Sequence, residues 1–220
     1  MISSNSLSVF DALANRHDDC RWHPRFGGFD AKVDNRLAAI ASSGRGRVLA
    51  LGGGSGPELR AFVASGWDCG LVDISPAMLQ LAREHYPDGV QIMRCDAVSF
   101  LEEKLEQQWD VLLHVGELIC YVDDPKHLCF ASSAALRDGG KLVQTFVDAG
   151  RMMERLKPNS WWSTTYGIRF KERIEPELVI TSFHEYAILQ IHKLAGLLPT
   201  EILLGPGPRS LIISTKTTRG

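Results

Sequence analysis

The sequence predicts a doubly wound α/β fold: a mostly parallel seven-stranded sheet with an antiparallel strand near one edge and helices on both faces. From Arg47 onward, short apolar runs alternate with helical patterns, which is typical of strand–helix–strand units whose crossovers make a parallel sheet. The first apolar run breaks into closely spaced glycines and restarts as a helix. Near the end, two strand patterns with little helix between them favour antiparallel pairing at an edge.

The individual elements follow from apolar runs and the residues that bound them. Strands are predicted at residues 48–51, 69–73, 90–94, 110–114, 142–146, 166–174, 178–183 and 209–215. Helices are predicted at 32–41, 57–64, 76–86, 100–107, 125–136 and 184–194. Ser75-Pro76 combines an N-cap side chain with proline at the first helical position, and Asp124-Pro125 opens a helix in the same way.

Chain length and composition limit the class of protein. The 220 residues, with 45% hydrophobic and 23% charged residues, are ordinary for one soluble domain. Residues 1–46 are too few to build a core, so we expect an N-terminal helical cap or lid on a single domain at 47–220. Five widely separated cysteines without a C-x-x-C pair argue against a zinc site or a disulfide framework and fit a reducing cytosol.

Charge and hydropathy indicate which partners to expect. A net charge of −2 gives no electrostatic reason to favour nucleic acid. No signal peptide is visible, and no run approaches the roughly 18 apolar residues of a membrane span. The sequence therefore predicts a cytoplasmic monomer or homodimer that acts on a small-molecule substrate.

The glycine-rich turn at the end of the first strand predicts a ligand-binding loop. Gly52, Gly53, Gly54 and Gly56 allow the backbone to turn tightly and approach a ligand without an intervening Cβ. The nicotinamide pattern G-x-G-x-x-G requires a third glycine where Pro57 stands. A phosphate-binding loop would need Gly-Lys-Ser/Thr, which is missing at this turn.

Four stretches between residues 48 and 146 together resemble the class I S-adenosylmethionine-dependent methyltransferases. They are the glycine loop at 48–56, then Val72-Asp73-Ile74-Ser75, Cys95-Asp96-Ala97, and the strand and loop from Trp109 to Pro125. Their order and spacing are more specific than one glycine loop, since Asp73 follows Gly52 by 21 positions. The resemblance implies that S-adenosylmethionine is the cofactor and S-adenosylhomocysteine the product, bound by the domain at 47–220.

The resemblance also implies roles for individual residues. Asp73 is expected to accept hydrogen bonds from the two ribose hydroxyls. The alternative is that its negative charge only stabilises the N-terminus of the following helix through the helix dipole. Asp96 and the Ala97 N–H are expected to form hydrogen bonds with the adenine. The alternative for Asp96 is a turn or helix N-cap residue. Met78 is equally a pocket wall or helix core. The whole expected cofactor set is Gly52, Gly53, Gly54, Gly56, Asp73, Ile74, Met78, Asp96, Ala97, His114 and Val115.

One departure from the family pattern concerns the cofactor's methionine end. The family usually places an acid two residues before the first glycine, where this chain has Ala50. Glu117, just beyond the fourth strand, is a candidate substitute. Otherwise Ala50 indicates weaker cofactor affinity, or a protein that binds the cofactor without transferring methyl.

Candidate catalytic and substrate residues lie beyond the strand ends. His114 ends the fourth strand, where ligands of open α/β sheets bind, so it is a candidate general base or cofactor wall. The candidate substrate residues are His17, Trp22, His23, Glu117, Trp161, Trp162 and Tyr166. The alternatives are exposed surface histidines for His17 and His23, and an oligomer contact for the two later tryptophans.

The leading functional prediction is methyl transfer to an oxygen or nitrogen of a small molecule. A tRNA or protein methyltransferase of the same fold is the first alternative. The near-neutral charge and the sequence Val115-Gly116-Glu117-Leu118, in place of Asn/Asp-Pro-Pro-Tyr, count against it. The second alternative is a cofactor-binding protein without transfer activity, and a dehydrogenase is the least favoured.

Overall fold

A computed structural model of the chain describes residues 7–12, 14, 27–104, 108–154, 161–172, 178–205 and 207–218. The strands are β1 Arg47–Leu51, β2 Asp68–Asp73, β3 Val90–Arg94, β4 Trp109–His114, β5 Leu136–Val147, β6 Trp161–Ser163, β7 Gly167–Glu172, β8 Leu178–Phe183, β9 Leu197–Leu204 and β10 Arg209–Lys216. The α-helices are α1 Gly27–Ser42, α2 Arg60–Ala64, α3 Pro76–His85, α4 Ala97–Glu103, α5 Pro125–Ala135, α6 Ala149–Met153 and α7 Glu185–Leu194. Short 3-10 turns cover Pro57–Leu59 and Leu118–Cys120.

Seven strands form the main sheet in the order β3-β2-β1-β4-β5-β10-β9. Neighbouring strands from β3 to β5 pair in parallel, and β10 runs antiparallel to both β5 and β9. The predicted fold class is therefore confirmed, including one antiparallel strand near an edge. Because the carboxyl ends of β1 to β5 share one edge, the loops that follow them are brought together there.

Two cores lie on opposite faces of this sheet, because successive strand residues point to opposite sides. On one face, α1, α2 and α3 pack against strand residues such as Ala50 and Leu113. On the other face, α4, α5 and α7 pack against residues such as Leu49 and Leu112. Helix α1, which lies within the segment predicted as a cap, contributes Val33 to the first of these cores.

The end of the chain differs from the prediction in where its strands pair. The patterns at 166–174 and 178–183 do form antiparallel strands, β7 and β8, but they join β6 in a separate three-stranded sheet. One edge strand of the main sheet, beside β10, is β9, which the sequence analysis did not identify. Pro199 and Glu201 interrupt its apolar pattern, and proline is tolerated in sheets at edges.

Membrane-spanning helices and metal-binding clusters are both absent from the described residues. None of the described helices is long and apolar enough to cross a lipid bilayer. Within the described residues, no group of three or more His, Cys, Asp or Glu side chains is arranged to hold a metal ion.

Candidate active site

The glycine loop joins β1 to the helical turn at Pro57 and rests on the end of β2. The Gly52 and Gly53 N–H groups both donate to the Val72 carbonyl oxygen, at 2.8 and 3.3 Å. Gly52 and Gly54 have φ values of +61° and +54°, in the left-handed region that favours glycine. A Cβ on Gly52 would lie only 2.8 Å from Leu118 Cδ1, so the loop after β4 packs directly against this turn.

Helix α3 supports the loop from beside it. The Tyr86 hydroxyl donates to the Gly56 carbonyl oxygen at 2.7 Å, and His85 Nδ1 lies 3.1 Å from the Ser55 carbonyl oxygen. Burial, with a smaller contribution from nearby Glu58, raises the pKa of Tyr86 to about 12. The hydroxyl therefore stays protonated and able to donate at neutral pH.

Asp73 connects the tip of β2 to the glycine loop. Its Oδ2 accepts a hydrogen bond from the Gly54 N–H at 2.9 Å, and its Oδ1 accepts one from the Ser75 N–H at 2.8 Å. A carboxylate can accept about four hydrogen bonds, so one that holds the loop can also accept from ligand hydroxyls. Asp73, the residue predicted to bind the ribose, thus contacts the predicted glycine loop directly.

The predicted adenine residues lie at the neighbouring strand end. Asp73 is paired with Arg94 in the β2–β3 register, so Asp96 is close to the same edge. Asp96 Oδ1 caps α4 by accepting from the Val98 and Ser99 N–H groups at 3.0 and 3.1 Å. The capping alternative is therefore realised for that oxygen, and a contact with adenine remains a proposal.

Met78 and Ala97 are buried within the folded chain. Met78 is 1% exposed and Ala97 is 2% exposed. Ser75 Oγ accepts from the Met78 N–H at 3.1 Å, which confirms the predicted N-cap. The burial of Met78 favours the helix-core alternative over a pocket wall.

His114 does not fit the role of general base, which corrects the sequence-based expectation. Its side chain is fully buried, with Nδ1 3.0 Å from Gln144 Oε1 and Nε2 3.2 Å from Ser132 Oγ. Burial lowers the pKa of His114 to about 4. The residue does end a strand, but strand alternation puts its ring on the same face as Leu112, in the core beside Gln144 and Ser132.

The loop after β4 brings Glu117, a candidate of the sequence analysis, together with three residues that the sequence analysis did not name as candidates: Thr145, Arg209 and Asp30. Glu117 has a φ of +62°, the only positive value for a non-glycine residue in the described part of the chain. The hydroxyl of Thr145 accepts from the Gly116 and Glu117 N–H groups at 3.0 and 2.9 Å. Glu117 Oε1 lies 2.7 Å from Arg209 Nε, and Arg209 Nη1 lies 2.9 Å from Asp30 Oδ1.

The adjacent tryptophans of β6 point in opposite directions, as successive strand residues do. Trp161 packs against the core, whereas the side chain of Trp162 is 43% exposed. Tyr166 packs against Phe183 with ring centroids 6.2 Å apart, and the Lys126 ammonium lies 5.7 Å from the Tyr166 ring centre. His17, Trp22 and His23 lie outside the described residues.

We expect Gly52→Ala to lower the free energy of unfolding by about 1–2 kcal/mol, because an L-residue is strained at this left-handed position. Displacement of Leu118 would add to that loss. Urea unfolding of Gly44→Ala is the matched control, since no atom lies within 4 Å of a Cβ there. Equal stability of the two variants would contradict the prediction.

Comparisons with known proteins identify the family. A family described as "Methyltransferase domain" matches residues 21–196. The Ubiquinone biosynthesis O-methyltransferase of Idiomarina loihiensis is 30% identical over 150 residues, which is 64% of this chain and 59% of that relative. The chain thus spans less than two thirds of the relative's length.

Solved structures share the fold. An S-adenosylmethionine-dependent methyltransferase from Clostridium acetobutylicum has a TM-score of 0.70 at 15% identity, covering 93% of this chain and 99% of that one. The Burkholderia thailandensis 1,6-didemethyltoxoflavin-N1-methyltransferase, solved with S-adenosylhomocysteine, has a TM-score of 0.63 at 18% identity, covering 99% and 92%.

The sheet order, the glycine loop and the acid beside it define the class I S-adenosylmethionine-dependent methyltransferases, as the sequence predicted. The chain belongs to the methyltransferase domain family. S-adenosylmethionine, the cofactor predicted from the sequence, is thereby confirmed at the level of this family.

Proposed function

We propose that this protein transfers the methyl group of S-adenosylmethionine to an oxygen or nitrogen of a small molecule. The observation that carries the proposal is the Asp73 carboxylate, held by the Gly54 and Ser75 N–H groups at the ligand edge of the sheet. An ionised carboxylate beside a glycine turn suits a ribose diol, because hydrogen bonds to a charged acceptor are strong.

We assign residues of the chain to the cofactor from one end to the other. The glycine turn has no Cβ to block a ligand, and Asp73 would hold the ribose. Ile74, Asp96 and the Ala97 N–H would hold the adenine. Ala50 supplies no carboxylate, so we assign the methionine ammonium to Glu117, whose neighbour Leu118 lies against Gly52.

Methyl transfer requires little covalent chemistry from the protein. When bound, S-adenosylmethionine supplies a methyl group already activated by the sulfonium charge for in-line displacement. The chain's contribution is positioning, which is worth on the order of 7–11 kcal/mol in favourable cases. Asp73 and the glycine loop fix the nucleoside, and Glu117 fixes the opposite end. Tyr166 and the tryptophans of β6 are the proposed walls of the acceptor site.

The names of one curated relative and one structural neighbour are consistent with a small-molecule acceptor at oxygen or nitrogen. One is named as a ubiquinone biosynthesis O-methyltransferase, and the other as a methyltransferase acting at N1 of 1,6-didemethyltoxoflavin. The near-neutral charge of the chain also disfavours a polyanionic acceptor.

The proposal is tested by incubating the protein with methyl-labelled S-adenosylmethionine and fractionated cell extract. We expect label in the small-molecule fraction and little sensitivity to salt. Label in RNA that falls steeply with salt would favour the macromolecular alternative. Thermal stabilisation by S-adenosylhomocysteine without labelling of any fraction would indicate a binding protein without transfer activity.

A further inference from the structure

The backbone of Glu117 is held in a conformation that an L-residue rarely adopts. Its φ and ψ are 62° and 30°, and such left-handed geometry is costly without a Gly or a local side-chain bond. Strain of this kind persists only where the surroundings fix it, and it is concentrated at functional sites. The contacts of Glu117 with its surroundings therefore hold this conformation.

Two anchors hold this residue from different directions. The Thr145 hydroxyl on β5 is fully buried and accepts from two successive N–H groups, those of Gly116 and Glu117. The same hydroxyl lies 3.4 Å from the His114 carbonyl oxygen, to which it donates. Arg209 holds the other end of the residue, the side-chain carboxylate, at 2.7 Å.

Arg209 is itself fixed by its place in the sheet and by a second carboxylate. It is the first residue of β10 and pairs with Val147, at the edge where the parallel strands end. Its Nη1 bonds to Asp30 of α1, whose side chain is 5% exposed. Burial alone would lower the pKa of Arg209, but the carboxylates of Glu117 and Asp30 together outweigh burial and raise it.

Arg209 thus joins α1, β10 and the loop after β4 through the planar fork of one guanidinium, which can serve two acceptors at once. The loop that it holds is the one that lies on Gly52. This arrangement fixes the carboxylate of Glu117, the residue before Leu118, in a chain whose first strand has Ala50 at the family's usual acid position.

We propose that Arg209 is a positioning residue that sets the Glu117 carboxylate for the amino-acid end of the cofactor. This inference rests on the proposed function, because it assumes the S-adenosylmethionine site described above. Arg209 acts through Glu117, so its effect is specific to ligands that carry an amino-acid group.

Calorimetry with two ligands tests this assignment. S-adenosylhomocysteine carries the amino-acid end, whereas 5′-methylthioadenosine has the same nucleoside thioether without it. We expect Arg209→Met to weaken the binding of S-adenosylhomocysteine about tenfold, which is the effect of losing one hydrogen bond to a charged group. The affinity for methylthioadenosine should stay within about twofold of the wild-type value. Glu117→Gln, which keeps the side-chain shape, is expected to give the same pattern.

Further variants separate positioning from general stability. Arg209→Lys keeps a cation without the fork and is expected to fall between wild type and Arg209→Met. In a Glu117→Gln background, Arg209→Met should cause no additional loss. The matched control is Arg36→Met, which breaks the exposed Arg36–Glu201 pair and should leave both ligands unaffected.

Each outcome has one interpretation. Equal weakening of both ligands by Arg209→Met or Glu117→Gln would overturn the positioning role and leave the proposed function intact. Additive losses in the double variant would likewise overturn the action of Arg209 through Glu117. Failure of the wild-type protein to bind either ligand would instead refute the proposed function.

Discussion

Replacing Asp73 by alanine is expected to weaken the binding of S-adenosylhomocysteine by at least tenfold. The substitution removes the carboxylate assigned to the ribose. A hydrogen bond to a charged group contributes about 1.5–3 kcal/mol, and about 1.4 kcal/mol corresponds to a tenfold change in the dissociation constant. It also removes the acceptor for the Gly54 and Ser75 N–H groups, so the glycine turn loses a support. Isothermal titration calorimetry measures the change.

Two other substitutions sharpen the test of Asp73. Asp73→Asn keeps the size and one acceptor oxygen but loses the charge, so its affinity is expected to lie between those of wild type and Asp73→Ala. Asp68 is the acid at the opposite end of the same strand, where it pairs with Arg47. Asp68→Ala should bind normally. An unchanged dissociation constant for a folded Asp73→Ala protein would remove the ribose assignment.

The parts of the fold that the sequence predicted well have strong local signals. Strand β3 has the predicted bounds, and β2 and β4 begin one residue before the prediction. The Ser75 and Asp124 caps also form as expected, each accepting from the backbone N–H three residues later. Buried parallel strands read as continuous apolar runs, and capping residues fix the helix starts between them.

Strand β9 lacked such a signal because it lies at the sheet edge. It pairs with a neighbouring strand, β10, along one edge only, and Leu198 and Leu204 are more than half exposed. Its neighbour β10 also changes register beside Pro199 and Glu201. A pattern interrupted by proline, charge and a bulge does not distinguish an edge strand from a loop.

In the candidate site, too, the residues that could be predicted have local sequence signals, whereas the others depend on contacts between distant parts of the chain. The position of Asp73 at the sheet edge was predictable because it ends a short apolar strand 21 positions after Gly52, and its bond to the Ser75 N–H lies within the turn that follows. Arg209 was not, because its partner Glu117 is 92 residues away in sequence. The sequence placed His114 correctly at a strand end, but its direction depends on which core the strand residues face.

That inward direction gives His114 a role in stability, through a buried chain of polar side chains. His114 contacts Gln144, and Gln144 Nε2 lies 3.1 Å from Nε2 of His192, whose Nδ1 lies 2.8 Å from Ser214 Oγ. All four side chains are 0% exposed. Burial lowers the pKa of His114 to about 4, and burial together with His114 lowers that of His192 to about 3.

We therefore expect the folded protein to lose stability as the pH falls below about 6.5, the ordinary histidine pKa. The unfolded chain binds both protons there, whereas the folded chain excludes them until about pH 4 and about pH 3. Between pH 7.5 and 5 the loss is on the order of 2 kcal/mol for each histidine. Urea unfolding across this range measures it, and His192→Gln should remove its own share of the slope. A free energy of unfolding that stays constant from pH 7.5 to 5 would mean that the rings are protonated equally easily in both states.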